Sequence, residues 1–96
     1  DAAMAGFRAA MRQAAALDDW RGEGESRIAL AVSQRQAGRA QDAGDTLRAL
    51  TDDPDLPYPP EQRRAALLRQ AQWRLEDGDW QGLRVALDRA ATACDR

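Results

Sequence analysis

Apolar and turn-forming residues recur in one register along this 96-residue chain, with a spacing of 40 positions. A shift by that spacing places Gly38 on Gly78 and Ile28 on Leu68. Two such shifts align three sets: Ala3, Phe7 and Ala10, then Ala43, Leu47 and Leu50, then Leu83, Leu87 and Ala90. Helix pairs joined by short turns bury their apolar faces by stacking on one another, so the spacing predicts repeated helical hairpins.

Breaker residues divide the chain into five helical stretches. We predict helices over about 2–17, 23–37, 40–50, 60–76 and 80–93. The segment Asp18–Gly22, Gly38, the proline-rich segment 52–60 and the tight turn 77–79 separate them, and Asp79 is a suitable N-cap. Alanine is abundant, whereas one Ile, two Val and three Thr leave little material for a sheet, so the predicted fold class is all-α.

The aligned segments resemble a tetratricopeptide repeat, whose signature ends in alanine, three residues and a large apolar residue. Two parts of the chain are similar to the central turn and second helix of this repeat. The first is the stretch 38–43 followed by Leu47, and the second is the stretch 78–80 followed by Leu83, Leu87 and Ala90. The resemblance implies a right-handed stack of antiparallel hairpins, an α-solenoid of about five helices in one domain, 1–96. Its units would be 1–17 (the second helix of a partial repeat), 23–51 and 60–93.

The match is divergent. The family period is 34, and we expect the proline-rich loop and the Asp18–Gly24 region to accommodate the additional residues. Leu83 replaces a small alanine, Arg27 and Leu67 replace a common tryptophan, and Gln70 replaces a leucine. The alternative interpretation is an ordinary five-helix bundle in which the abundant alanines coincide by chance.

Residue types that support catalysis are scarce. The chain has no histidine and a single cysteine, Cys94, which excludes a Cys–His pair and an internal disulfide. Ser26 and Ser33 lie within a predicted helix without a base nearby in sequence, and no phosphate-binding loop is present. We therefore expect no enzyme activity and no cofactor, and we assign Cys94 no role.

Two acidic clusters are candidates for a hard cation: Asp52, Asp53 and Asp55, and Glu76, Asp77 and Asp79. Neither has the spacing of a calcium-binding loop. Aspartates are common in turns and at helix starts, so we interpret both clusters as turn residues and expect no metal site.

The balance of 14 basic and 16 acidic residues offers no single-sign field for nucleic acid. No apolar stretch is long enough to span a bilayer, so we expect a soluble protein, cytoplasmic or periplasmic, with no membrane insertion. All basic residues are arginine, a bias we attribute to a bacterial-type genome. The chain begins at Asp1 within a helical pattern, so we expect a fragment whose first helix is covered by upstream sequence, a partner or a second copy.

In the resembled family, the first helix of each pair lines a groove. The implied partner-binding residues are Ile28, Val32, Arg35, Leu68, Gln72 and Leu75. Spacings of three and four place each set on one helix face. The alternative is that Ile28, Leu68 and Leu75 belong to the core. Ile28 and Leu68 also stand where a lysine would clamp a free carboxylate, so we expect no binding of C-terminal carboxylates.

The three tryptophans have different expected roles. We predict that Trp80 packs between helices. The role of Trp20 stays open, and a cap on the exposed edge of the first core is one candidate. Trp73 is either a lateral contact to the neighbouring pair or an exposed partner-binding anchor.

Together these features predict a non-catalytic protein–protein interaction module, a scaffold or adaptor that binds a peptide or helix. Two alternatives stay open: a regulatory domain that senses a ligand or peptide, and a helical accessory domain of a larger enzyme.

Overall fold

A computed structural model describes residues 2–94 and forms, within that range, five α-helices and no strand. The helices are α1 (Ala2–Ala16), α2 (Trp20–Gln36), α3 (Ala40–Thr51), α4 (Pro60–Glu76) and α5 (Trp80–Cys94). The predicted all-α class is confirmed, and α4 has the predicted bounds. The side chain of Cys94 and the predicted fraying end, Asp95 and Arg96, lie outside the described part.

The three short connections 17–19, 37–39 and 77–79 are built alike. Each has a left-handed residue in its centre: Asp18 (φ 56°), Gly38 (φ 80°) or Gly78 (φ 72°). In each, the next amide donates to a carbonyl five residues earlier, as Arg39 does to Gln34 and Asp79 to Arg74, both at 2.8 Å. This is the Schellman motif, which satisfies carbonyls left free at a helix end. A three-residue turn between contacting helices reverses the chain and makes a hairpin.

α2 begins at Trp20, three residues before the predicted start, so Asp18–Gly22 is not a broad breaker. The Asp19 side chain accepts the Gly22 amide at 3.0 Å, and Asp79 accepts the Gly82 amide at 2.9 Å. The predicted N-cap at Asp79 is confirmed. Because the first connection is short, the residues beyond the usual repeat period are not accommodated in the Asp18–Gly24 region.

Successive helices pack against each other, and α2 also contacts α4. The helices form a slab of 37 × 33 × 14 Å. The core lies between α2, α3 and α4 and comprises Ala31, Ala43, Leu47, Leu50, Tyr58, Ala66 and Trp73. Small residues at this interface let the helix axes approach closely.

The segment 52–59 connects α3 to α4 and is held by side chains from both sides. Arg63 donates to the carbonyl of Leu50 at 2.9 Å and to that of Leu56. Tyr58 is buried, and its ring meets that of Trp20 edge-on at 5.4 Å. Trp20 therefore packs against the core from the first turn of α2.

The apolar residues of α5 are only partly buried. Ala86 and Ala90 are buried, Leu83 is half-buried, and Leu87 and Ala91 are exposed. Leu87 is exposed although its equivalent, Leu47, is buried in the core beside α4, because no described helix covers the same side of α5.

On α1, Ala14 is buried and Phe7 and Met11 are half-buried, but Ala10, which the register aligns with the buried Leu50, is exposed. Met4 is buried instead.

Candidate functional site

The predicted groove residues of α2 mainly contact other parts of the chain. Ile28 and Val32 are half-buried and pack against the core. Their contribution to a partner-binding surface is therefore limited to the exposed parts of their side chains.

Arg35 links the two hairpins. Its guanidinium donates to Asp77 from both terminal nitrogens, at 2.7 and 3.1 Å, and to Glu76 at 3.4 Å. It also lies 5.4 Å from the centre of the Trp73 ring. The hydrogen bond from Arg35 holds the pKa of Asp77 below its usual value. We call the Arg35–Asp77 ion pair the clamp; it joins the end of α2 to the end of α4. The guanidinium that was expected to contact a partner is therefore already engaged.

Trp73 is only 8% exposed and belongs to the core between the hairpins. Of the two predicted roles, the lateral contact is confirmed and the exposed anchor is wrong. The reason is that Arg35 covers one side of the ring while the hairpins close around the rest.

The accessible predicted residues lie on α4. Leu68 is 42% exposed and Leu75 is 50% exposed, and Gln72 between them is exposed as well. A spacing of seven residues places the two leucines on one helix face. The alternative in which Leu68 and Leu75 are core residues is wrong.

Trp80 is 67% exposed, so the prediction that it packs between helices was also wrong. It shares its face of α5 with Leu83 and Leu87, three and seven residues further on. A tryptophan directly after an N-cap aspartate occurs twice, at Trp20 and Trp80. Only Trp20 is packed against Tyr58, and this difference depends on the loop that lies over α2.

The 40-residue register shows what these exposed residues correspond to. Ile28, Ala43 and Leu47 of the α2–α3 hairpin belong to or pack against the core that α4 completes. Their equivalents on the α4–α5 hairpin are Leu68, Leu83 and Leu87. We call this surface the end face; it comprises Leu68, Leu75, Trp80, Leu83 and Leu87. At Leu68, Leu83 and Leu87 the end face is the counterpart of a surface that is covered one hairpin earlier; Leu75 and Trp80 correspond to Arg35 and Ala40.

A buried polar cluster joins α2 to the loop 52–59. Arg27 Nε donates to Glu23 Oε1 at 2.8 Å and to the Tyr58 hydroxyl at 3.1 Å, and the Tyr58 hydroxyl donates to Glu23 Oε2. Burial, together with Glu23, raises the pKa of Tyr58 to about 12. These hydrogen bonds fix the loop 52–59 to α2. Sequence analysis missed it because its members are 31 and 35 residues apart.

The two acidic clusters are used in turns and ion pairs. Asp52 accepts from Arg89 at 2.8 Å, and Asp53 accepts the Asp55 amide at 3.1 Å. In the second cluster, Asp77 pairs with Arg35, while Asp79 caps α5. No group of three or more potential metal ligands is present among residues 2–94.

A cavity of about 580 Å³ lies beside the loop 52–59. Leu50, Pro54 and Leu67 give it apolar walls, and Arg63 and Arg89 border it. Both arginines already donate to backbone carbonyls, of Leu50 and Thr51 respectively. Their hydrogen-bonding capacity is therefore largely used to hold the cavity walls.

No helix in the described range combines the length and the hydropathy needed to cross a bilayer. In comparisons with known proteins, no family model, no curated protein and no solved structure matches this chain.

Proposed function

We propose that the chain is a non-catalytic protein–protein interaction module that binds a peptide or helix of a partner on the α4 side of its helical stack. One observation supports this most directly: Leu68 and Leu75 are about half exposed on one face of α4, with the exposed Gln72 between them. Exposed apolar side chains grouped on a helix face are typical of partner-binding surfaces.

The proposed architecture is a solenoid of tetratricopeptide type. Two features support it. α2 and α4 are both 17 residues long and begin exactly one register apart, at Trp20 and Pro60. α2 and α4 also contact each other directly, in addition to the contacts between successive helices. Stacked hairpins produce such contacts between the first helices of neighbouring units.

The residues proposed to bind a partner are fewer than those that the sequence predicted. Because Arg35 is held by Asp77, and Ile28 and Val32 pack on the core, the proposed surface is concentrated on α4. Leu68 and Leu75 serve as apolar anchors, and the Gln72 amide between them offers a donor and an acceptor to a partner backbone.

Ligand sensing by the loop cavity has less support. The two arginines that border the cavity are engaged with the protein backbone, so a polar ligand would have to displace those hydrogen bonds.

The experiment is affinity capture with the purified chain as bait, followed by binding measurements with the recovered partner. We expect Leu68→Glu combined with Leu75→Glu to abolish capture, because a charged group would be buried without a partner at the interface. Leu17→Glu is the matched control, since Leu17 is 72% exposed in the α1–α2 turn. Circular dichroism verifies that both variants fold. Capture that is identical for the native chain and the double variant would refute the proposal, as would a native chain that captures nothing.

A further inference from the structure

Beside the end face, arginine stands at two positions where the covered hairpin has glycine. Gly24 of α2 corresponds to Arg64 of α4, and Gly44 of α3 corresponds to Arg84 of α5. At Gly24 the side chain of Gln62 from α4 approaches so closely that a Cβ atom would lie 2.0 Å from its Oε1. Glycine thus permits the close docking of α4 on the α2–α3 hairpin. An arginine in that place prevents a helix from docking on the end face in the same way.

Both arginines lie next to the apolar residues of the end face. Arg64 precedes Leu68 by four residues, and Arg84 follows Trp80 by four and precedes Leu87 by three, so each shares a helix face with them. Neither guanidinium forms an ion pair with another residue of the range 2–94. The nearest acidic residue in sequence on α5, Asp88, borders the loop cavity instead.

We infer that the end face binds an amphipathic helix of a partner protein that carries acidic side chains beside its apolar stripe. The apolar stripe would cover Leu68, Leu75, Trp80 and Leu87, all of which are exposed. The acidic side chains would pair with Arg64 and Arg84, which need carboxylates once water is excluded around them. This inference rests on the proposed function and specifies the chemistry of the partner.

Charge also argues against a second copy of the chain as the occupant. A two-fold symmetric dimer brings the same patch of both copies together. Arg64 and Arg84 of one copy would then face the same cations of the other without compensating carboxylates in the patch. Like charges at an interface disfavour association.

The test uses two labelled synthetic helices with identical leucine spacing. One carries glutamates beside the leucines, and the other carries lysines at the same positions. Fluorescence anisotropy gives the Kd of each for the native chain, for Arg64→Glu/Arg84→Glu and for the control Arg8→Glu/Arg12→Glu. The control makes the same change in net charge on α1, at the other end of the stack.

We expect the native chain and the control to bind the glutamate helix about tenfold more tightly than the lysine helix, and the Arg64→Glu/Arg84→Glu variant to reverse that preference. Equal binding of both helices, binding of neither, or an unchanged preference in the variant would overturn the inference. Sedimentation that shows a dimer abolished by Leu68→Glu would overturn it in favour of a second copy. If charge has no effect but Leu68→Glu/Leu75→Glu still abolishes partner capture, the inference fails and the proposed function stands.

Discussion

The close approach of α4 to α2 at Gly24 predicts an unusual response to a glycine-to-alanine substitution. In Gly24→Ala, the new Cβ would lie 2.0 Å from Oε1 and 2.8 Å from Cδ of Gln62, and 3.2 Å from Cδ1 of Tyr58. Gln62 is buried, and its Nε2 donates to the carbonyl of Arg21 at 2.7 Å. The side chain therefore cannot move away without loss of that hydrogen bond or a shift of α4.

The change in the free energy of unfolding is the sum of opposing contributions. Alanine in a helix interior is favoured over glycine by about 1 kcal/mol. Overpacking costs about 1–3 kcal/mol, and loss of the Gln62 hydrogen bond costs about 0.5–1.5 kcal/mol more. The free energy of unfolding should therefore fall by roughly 1–3 kcal/mol in Gly24→Ala, which lowers Tm by about 4–20 °C for a domain of this size.

The matched control is Gly44→Ala. Gly44 is also helical, but nothing lies within 4 Å of the position that its Cβ would occupy. We expect this variant to gain about 1 kcal/mol, as the helix propensity alone predicts. Both variants are measured by thermal and urea unfolding followed by circular dichroism. If Gly24→Ala is stabilised as much as Gly44→Ala, α4 does not dock on α2 as described.

Two further predictions concern titratable groups. The single tyrosine of the chain, Tyr58, should ionise near pH 12 in the folded protein and near pH ~10 when unfolded, so the stability it contributes is complete below pH ~10 and is lost as the pH rises through 12. Phenolate absorbance measures this directly, and a folded-state midpoint near 10 would contradict the buried cluster. Arg35→Ala should lower Tm at neutral pH because the clamp to Asp77 and the contact with Trp73 are lost. Since the pKa of Asp77 is lowered, the ionic part of that difference is present above pH ~4 and disappears as the pH falls through the lowered pKa; a difference in Tm that does not narrow between pH 7 and pH ~2 would contradict it.

The helices could be predicted because their ends depend on local chemistry. Gly38 and Gly78 adopt a left-handed backbone that other residues rarely adopt, and Pro60 suits the first turn of a helix. The start of α2 was predicted three residues too late because, in the connection 17–19, the residue with a left-handed backbone is Asp18 instead of a glycine. Aspartate tolerates a left-handed backbone, but its presence in a sequence predicts that conformation less strongly than glycine does.

The candidate site was harder to predict because exposure depends on what packs against a helix. Periodicity placed Leu47 and Leu87 on equivalent faces, which is correct, but it could not show that only Leu47 is covered. The clamp from Arg35 to Asp77 joins residues 42 positions apart, and a pattern within one helix does not reveal such a pair. The anchor role expected of Trp73 failed for the same reason.

The two hairpins therefore use one register for two purposes. In the first, Gly24 lets α4 pack closely on the apolar face, while Gly44 has open space at the position of its Cβ. In the second, arginines replace both glycines while the apolar residues are kept. Leu68 and Leu87 are not expected on a face that is always in solvent. Arg64 is not expected on a face that packs as closely on a helix as its counterpart does. Retained apolar residues with added cations fit a surface that is bound reversibly by a partner with the opposite charge, because charged groups at the edge of an interface favour specificity and fast association over permanent burial.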